Sequence, residues 1–254
     1  MPRLVEEPPP RRPAYFWWLL ANALALCFAV VSWTFCLEVF GNPERPRNYA
    51  ILKKLGRIPE LKRYTVLDVP NGTARSPKFL YAKFFEPSKD GKGHAISDAD
   101  LRQLNELGIR NYLTNFARPL ALTYIEGDYQ VQRVRPLGPS DFITKGFVVR
   151  AQALVKPDDF TKPAPFPVVI DYLFPTHENA SGFFRPGDVL EVRKSPNCAA
   201  VIHVERGAGE DGPQVCLTVV PIAYGPYRAG DDGSFSIEPP EEVNPAAEFP
   251  MFKP

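Results

Sequence analysis

From Ala14 to Leu37 the chain runs for 24 residues without an Asp, Glu, Lys, Arg or His. As a helix rising about 1.5 Å per residue, this run is roughly 36 Å long, enough to cross a hydrocarbon core of about 30 Å with some tilt. It predicts a single transmembrane helix, and it makes everything downstream a domain held at a membrane surface. A cleaved signal peptide fits less well. Signal cores span about 7–15 residues and end at a small-x-small site, whereas this run ends in Trp33-Thr34-Phe35-Cys36-Leu37-Glu38. Aromatic residues gather at both ends, Tyr15, Phe16, Trp17 and Trp18 against Trp33, Phe35 and Phe40, as expected at two headgroup levels.

Orientation follows from the flanks. Arg3, Arg11 and Arg12 precede the helix; Arg45, Arg47, Lys53, Lys54 and Arg57 follow it. Large domains translocate largely regardless of charge. The short tail with Arg11-Arg12 abutting the helix therefore reads as the cytoplasmic end, and the C-terminal domain as extracytoplasmic. The basic residues after the helix are suited to anionic headgroups.

Composition narrows the remaining classes. A formal charge of +1 supplies no basic field for nucleic acid. Proline, at 29 residues, is about twice its usual share and predicts loops and edge positions rather than long helices. Residues 1–13 read as a short Pro/Arg-rich cytoplasmic tail in extended polyproline form. Residues 38–63 read as a basic juxtamembrane linker, in which Asn48 caps a short amphipathic turn, Tyr49 to Leu55, closed by Gly56.

Residues 64–228 predict one mainly antiparallel β domain with a short helix, so the fold class is α+β and β-rich. Strands are expected at Tyr64–Val69, Lys78–Phe85, Leu120–Ile125, Tyr129–Arg135, Phe147–Val155, Val168–Phe174, Val189–Arg193, Ala199–Glu205 and Gln214–Tyr224. Glu126-Gly127-Asp128 reads as a hairpin loop joining two of them. The helix starts at the capping box Ser97-Asp98-Ala99-Asp100, carries Leu101, Leu104 and Leu107, and stops at Gly108. Residues 229–254, acidic and Pro-rich, predict a disordered tail. Phe249, Met251 and Phe252 near its end are apolar enough to dock into a groove of a partner or of the domain itself.

Motifs for chemistry are sparse. His94, His177 and His203 lie far apart without metal-ligand spacing, and neither outer cysteine belongs to a CxxC. Phosphate-cradling glycine loops are missing, and Ser181-Gly182 lacks the first glycine of a nucleophile elbow. Cys198 and His203 lie five apart on a predicted strand, about 17 Å and on opposite faces, which is wrong for a thiolate and its base. Asp171 is a lone carboxylate in an apolar strand. It is acceptable on an exposed face, or with Arg150 or Arg193 as partner.

Cys198 and Cys216 are a candidate disulfide. Pairing Arg206 with Gln214 sets Cys216 opposite Val204, which leaves Cys198 six positions away, so a bridge requires an irregular register. The strand reading of Lys78–Phe85 puts Phe79 and Tyr81 in one aromatic row, a candidate interaction surface, alongside Phe249 and Phe252. These features read best as a membrane-anchored, non-enzymatic binding or assembly module. Its expected partners are the lipid bilayer and another membrane or envelope protein, with no cofactor and no nucleic acid. Two alternatives stay open. One is a membrane-anchored enzyme with a site assembled from scattered residues such as Asp171, Asp188, Glu191 and His177; the other is a transport or secretion adaptor subunit.

Overall fold

In the computed structural model the described residues are 14–41, 46–57, 74–84, 96–114, 123–157, 162–193, 199–209, 212–222, 224–229 and 233–252. They form two units, one on each side of residue 42. The first is a single helix, α1 (Ala14–Gly41), four residues longer than the uncharged run. Its 28 residues make it about 42 Å long, and most of its apolar side chains are exposed, Val39 excepted. By length and composition it is able to cross a membrane.

The second unit opens with α2 (Pro46–Lys54). Asn48 is not its cap but lies inside it, buried beside Leu52, while Leu55 is exposed. The expected stop holds: Gly56, at φ +69°, closes a Schellman motif with Gly56 N–H on Lys53 O and Arg57 N–H on Leu52 O.

A curled mixed sheet of eight strands follows: β1 (Ala74–Arg75), β2 (Tyr124–Ile125), β3 (Gly127–Pro136), β4 (Phe147–Val155), β5 (Ala164–Phe174), β6 (Val189–Val192), β7 (Ala199–Gly209) and β8 (Gly212–Pro221). Their spatial order is β1-β2-β7-β8-β5-β4-β3-β6. Only the β1/β2 and β5/β8 contacts are parallel. The fold is thus α+β and β-rich. The expected hairpin around Gly127 does not form. β2 pairs with β1 and β7, whereas β3 pairs with β4 and β6, so the short loop separates two strands that leave in different directions. β7 and β8 do form a hairpin, but Arg206 faces Val215 and Glu205 faces Cys216, one position from the expected register.

Residues 78–84 correct another expectation. They form α3 (Pro77–Phe84), not a strand. Pro77 occupies the first turn, where its missing N–H costs nothing. Pro77, Leu80 and Phe84, on one helical face, are buried. The aromatic alternation over Phe79–Phe85 is equally compatible with this spacing, and burial of Leu80 and Phe84 selects the helix. The expected strand Tyr64–Val69 lies outside the described residues.

The capping box at Ser97 is present: Asp100 N–H donates to Ser97 Oγ at 3.1 Å, and Ser97 Oγ–H to Asp100 Oδ2 at 2.7 Å. The helix it starts, α4 (Asp98–Thr114), does not stop at Gly108. A Cβ at that position would sit 2.5 Å from the Ile202 carbonyl oxygen, so the glycine is there to let α4 lie against β7. Leu101, Gly108 and Tyr112 form the buried face, and Leu107 points outward. Asn105 completes the contact, its side-chain amide pairing both ways with the Val204 backbone at 2.9 Å.

The region beyond residue 228 is not a disordered tail over its described part. β9 (Gly225–Ala229) and β10 (Gly233–Ile237) form a separate two-stranded sheet. Tyr227 and Phe235 join Phe147, Phe174 and Phe184 in an aromatic cluster. From there residues 238–252 run back along the domain: Glu238 N–H donates to Pro175 O, Val243 bridges Ile143, and Asn244 N–H donates to Phe142 O. The acidic composition concealed enough apolar side chains, at Phe235, Ile237, Met251 and Phe252, to stabilise an ordered path.

Candidate functional site: a charged row beneath the C-terminal segment

Cross-strand register lines up polar residues on one face of the sheet. Arg133 faces Arg150, Arg150 faces Asp171, Asp171 faces Thr218 and Thr218 faces His203, with Glu205 and Cys216 paired in the adjacent row. Irregularities at Val131/Arg133 and Val201/His203 bring the outer members into that line. The opposite face of the same strands, with Phe147, Val149, Ala151, Ile170, Tyr172, Leu217 and Val219, is core.

The centre of the row is an ion pair. Arg150 donates from Nε to Asp171 Oδ1 at 2.8 Å and from Nη2 to Asp171 Oδ2 at 2.9 Å. Asp171 has 0 % exposure, so the sequence reading of an exposed face is wrong and the Arg150 partner is the right one. Arg193, the other candidate, instead meets Asp128 at 2.6 Å on the far edge of the sheet.

The chain's own C-terminal segment closes over this pair. Met251 N–H donates to Asp171 Oδ2 at 3.0 Å, and Arg150 Nη2 donates to Phe252 O at 3.0 Å. Arg135, held bidentate by Asp141 at 2.8 and 2.7 Å, donates to Met251 O. The Phe252 ring lies against both guanidinium groups, 5.2 Å from that of Arg135 and 4.8 Å from that of Arg150. Phe249 stacks on His203 with centroids 4.3 Å apart and planes at 10°. The segment therefore satisfies buried charges with main-chain groups and covers them with aromatic rings.

Burial sets the chemistry of the nearby groups. It lowers His203 to about 4, leaving a neutral imidazole under Phe249. Burial, reinforced by the adjacent Asp171 carboxylate, pushes the Cys216 thiol up. Its Sγ lies 3.8 Å from Arg150 Nη2 and 3.9 Å from Asp171 Oδ2. Burial also raises Glu205, although Arg150 opposes the shift, and its Oε2 has no hydrogen-bond partner among the described residues.

The remaining candidate residues are scattered. Asp188 accepts from Arg185 N–H in the turn before β6, and Glu191 sits on that edge strand. Three strand spacings, about 14 Å, separate β6 from Asp171 on β5. His177 lies with Lys53, Glu238 and Glu241, where Lys53 and Lys145 both bond Glu241 and hold its carboxyl down to about 2. Phe79 is 42 % exposed on α3 with the Arg75 guanidinium over its ring, whereas Tyr81 packs edge-on against Phe166. The two do not share one exposed row. Cys216 is a free buried thiol, and Cys198 lies outside the described residues.

Arg135, Asp141, Thr218 and Glu205 escaped the sequence reading, because only strand register brings Thr218 opposite Asp171 and Arg135 and Glu205 near it, and Asp141 joins through its pair with Arg135. The available signal was the pair Arg150 and Asp171, each the lone charge in its strand. Compared with known proteins, the chain matches no family model, no curated protein and no solved structure.

Proposed function

We propose that the chain is a membrane-anchored, non-enzymatic binding or assembly module acting on another envelope protein. In this reading α1 spans the bilayer with the N-terminus cytoplasmic and the β-rich domain outside. The single observation that supports it is what the charged row spends its groups on. Asp171 is neutralised bidentately, the Cys216 thiol is shifted away from its nucleophilic form, His203 is half-buried with the Phe249 ring stacked on it, and both arginines hold the chain's own backbone. Groups engaged in this way hold a peptide segment rather than turn over a substrate. Phe79, the exposed aromatic of the predicted interaction residues, is the first contact to test.

The test is affinity purification of the tagged full-length chain from its native membrane in mild detergent, with and without Phe79→Ser. A stoichiometric envelope partner that is lost with the variant, at unchanged thermal stability, supports the reading. Recovery of the chain alone counts against it. A reporter active only outside the cytoplasm, fused at the C-terminus, checks the orientation.

A further inference from the structure

Three residues of α2 and its cap carry charge that the domain does not use. Arg47, Lys54 and Arg57 are exposed, and none forms an ion pair among the described residues. Arg47, Ile51 and Lys54 follow one another at helical spacing on one face. Asn48 and Leu52 occupy a different face and are buried, and Lys53 is tied to Glu241 at 2.7 Å. The helix is therefore fixed to the domain by one side. Its other side, with Leu55 65 % exposed next to it, is cationic with an apolar element.

Four residues, 42–45, separate α1 from α2. Resting on the reading that α1 spans a bilayer, we propose that the outward face of α2, Arg47, Ile51, Lys54 and Leu55 with Arg57, docks on the headgroups of anionic phospholipids. The cations meet the phosphates, and Leu55 and Ile51 reach the acyl boundary. Because the buried side of α2 is clamped to the domain through Leu52 and Lys53, this contact orients the β domain on the membrane instead of leaving it free on a tether. A headgroup surface fits better than a soluble anion. The charges are spread along two turns and a cap, and a leucine lies among them, which is the pattern of an interfacial helix.

The experiment uses the full chain in nanodiscs of phosphatidylcholine alone or phosphatidylcholine doped with phosphatidylglycerol. A photo-crosslinking benzoylphenylalanine replaces Leu55, or Leu107 on α4 as a control, and lipid adducts are read by mass spectrometry. Adduct formation at position 55 is expected to rise at least about fivefold with the anionic lipid. It is expected to return to the neutral-lipid level in Arg47→Glu/Lys54→Glu/Arg57→Glu, whose melting temperature stays unchanged because all three side chains are exposed. Equal yields in the two lipids, or yields at position 107 matching those at 55, would overturn the inference. Alkaline carbonate extraction separates the two levels. A chain that resists extraction yet gives no adduct at 55 loses only the docking face; a chain released by carbonate loses the spanning reading as well.

Discussion

Removing one member of the Arg150–Asp171 pair is expected to cost far more than removing both. The Asp171 side chain is fully buried and the Arg150 side chain is 15 % exposed, so neither lone charge can recover its water. Asp171→Leu leaves a buried guanidinium facing an aliphatic side chain and is expected to destabilise the domain by about 3–5 kcal/mol; Arg150→Met strands the carboxylate at a similar cost. In Arg150→Met/Asp171→Leu no charge is stranded. What is lost is the pairing of Met251 N–H and Phe252 C=O, at about 1 kcal/mol each, so a deficit of about 2 kcal/mol is expected.

Independent effects would sum to about 6–10 kcal/mol, hence a coupling of at least about 4 kcal/mol. The assay is denaturant unfolding of the full chain in detergent. Trp17, Trp18 and Trp33 are the chain's three tryptophans and all lie in α1, so the domain is followed by near-ultraviolet dichroism of its tyrosines or by hydrogen exchange of β5. A double variant whose loss equals the sum of the singles to within about 0.5 kcal/mol would refute the reasoning.

Three further outcomes are expected. Because the folded His203 sits at about 4 and its ordinary value is 6.5, the unfolded chain takes up a proton first as pH falls. Stability is then full above pH 6.5 and declines by about 3 kcal/mol down to pH 4, and His203→Gln should flatten that slope in thermal melts at stepped pH. Gly108→Ala should destabilise by about 1–3 kcal/mol through its clash with the Ile202 carbonyl, measured as a fall in melting temperature. Helix propensity alone predicts a gain of about 1 kcal/mol, so a rise in melting temperature would show that α4 does not lie so close to β7. Cys216 should resist iodoacetamide at neutral pH in the folded chain and label on unfolding, followed through its peptide by mass spectrometry.

What was legible in the sequence was local. The uncharged run predicted α1, clean alternation predicted β4 to the residue, and Ser97 with Asp100 predicted where α4 begins. Each of these rests on periodicity or on hydrogen bonds within a few residues, which the chain specifies wherever it sits.

Tertiary packing decided the rest. Lys78–Phe84 carries a pattern that serves a strand or a helix, and burial of Leu80 and Phe84 settles it. Gly108 is a stop signal until β7 lies against it, when the same missing Cβ becomes the condition for contact. Asp171 is tolerable on an exposed face or beside an arginine, and only the fold selects Arg150 on β4, with Met251 supplying Asp171 a backbone N–H from 80 positions away and Phe252 supplying Arg150 a carbonyl from 102 positions away. A charge is cheap or ruinous according to what surrounds it. That environment is built from strands whose register, bulges and neighbours are set by burial over the whole sheet, and no window of sequence around Asp171 contains it.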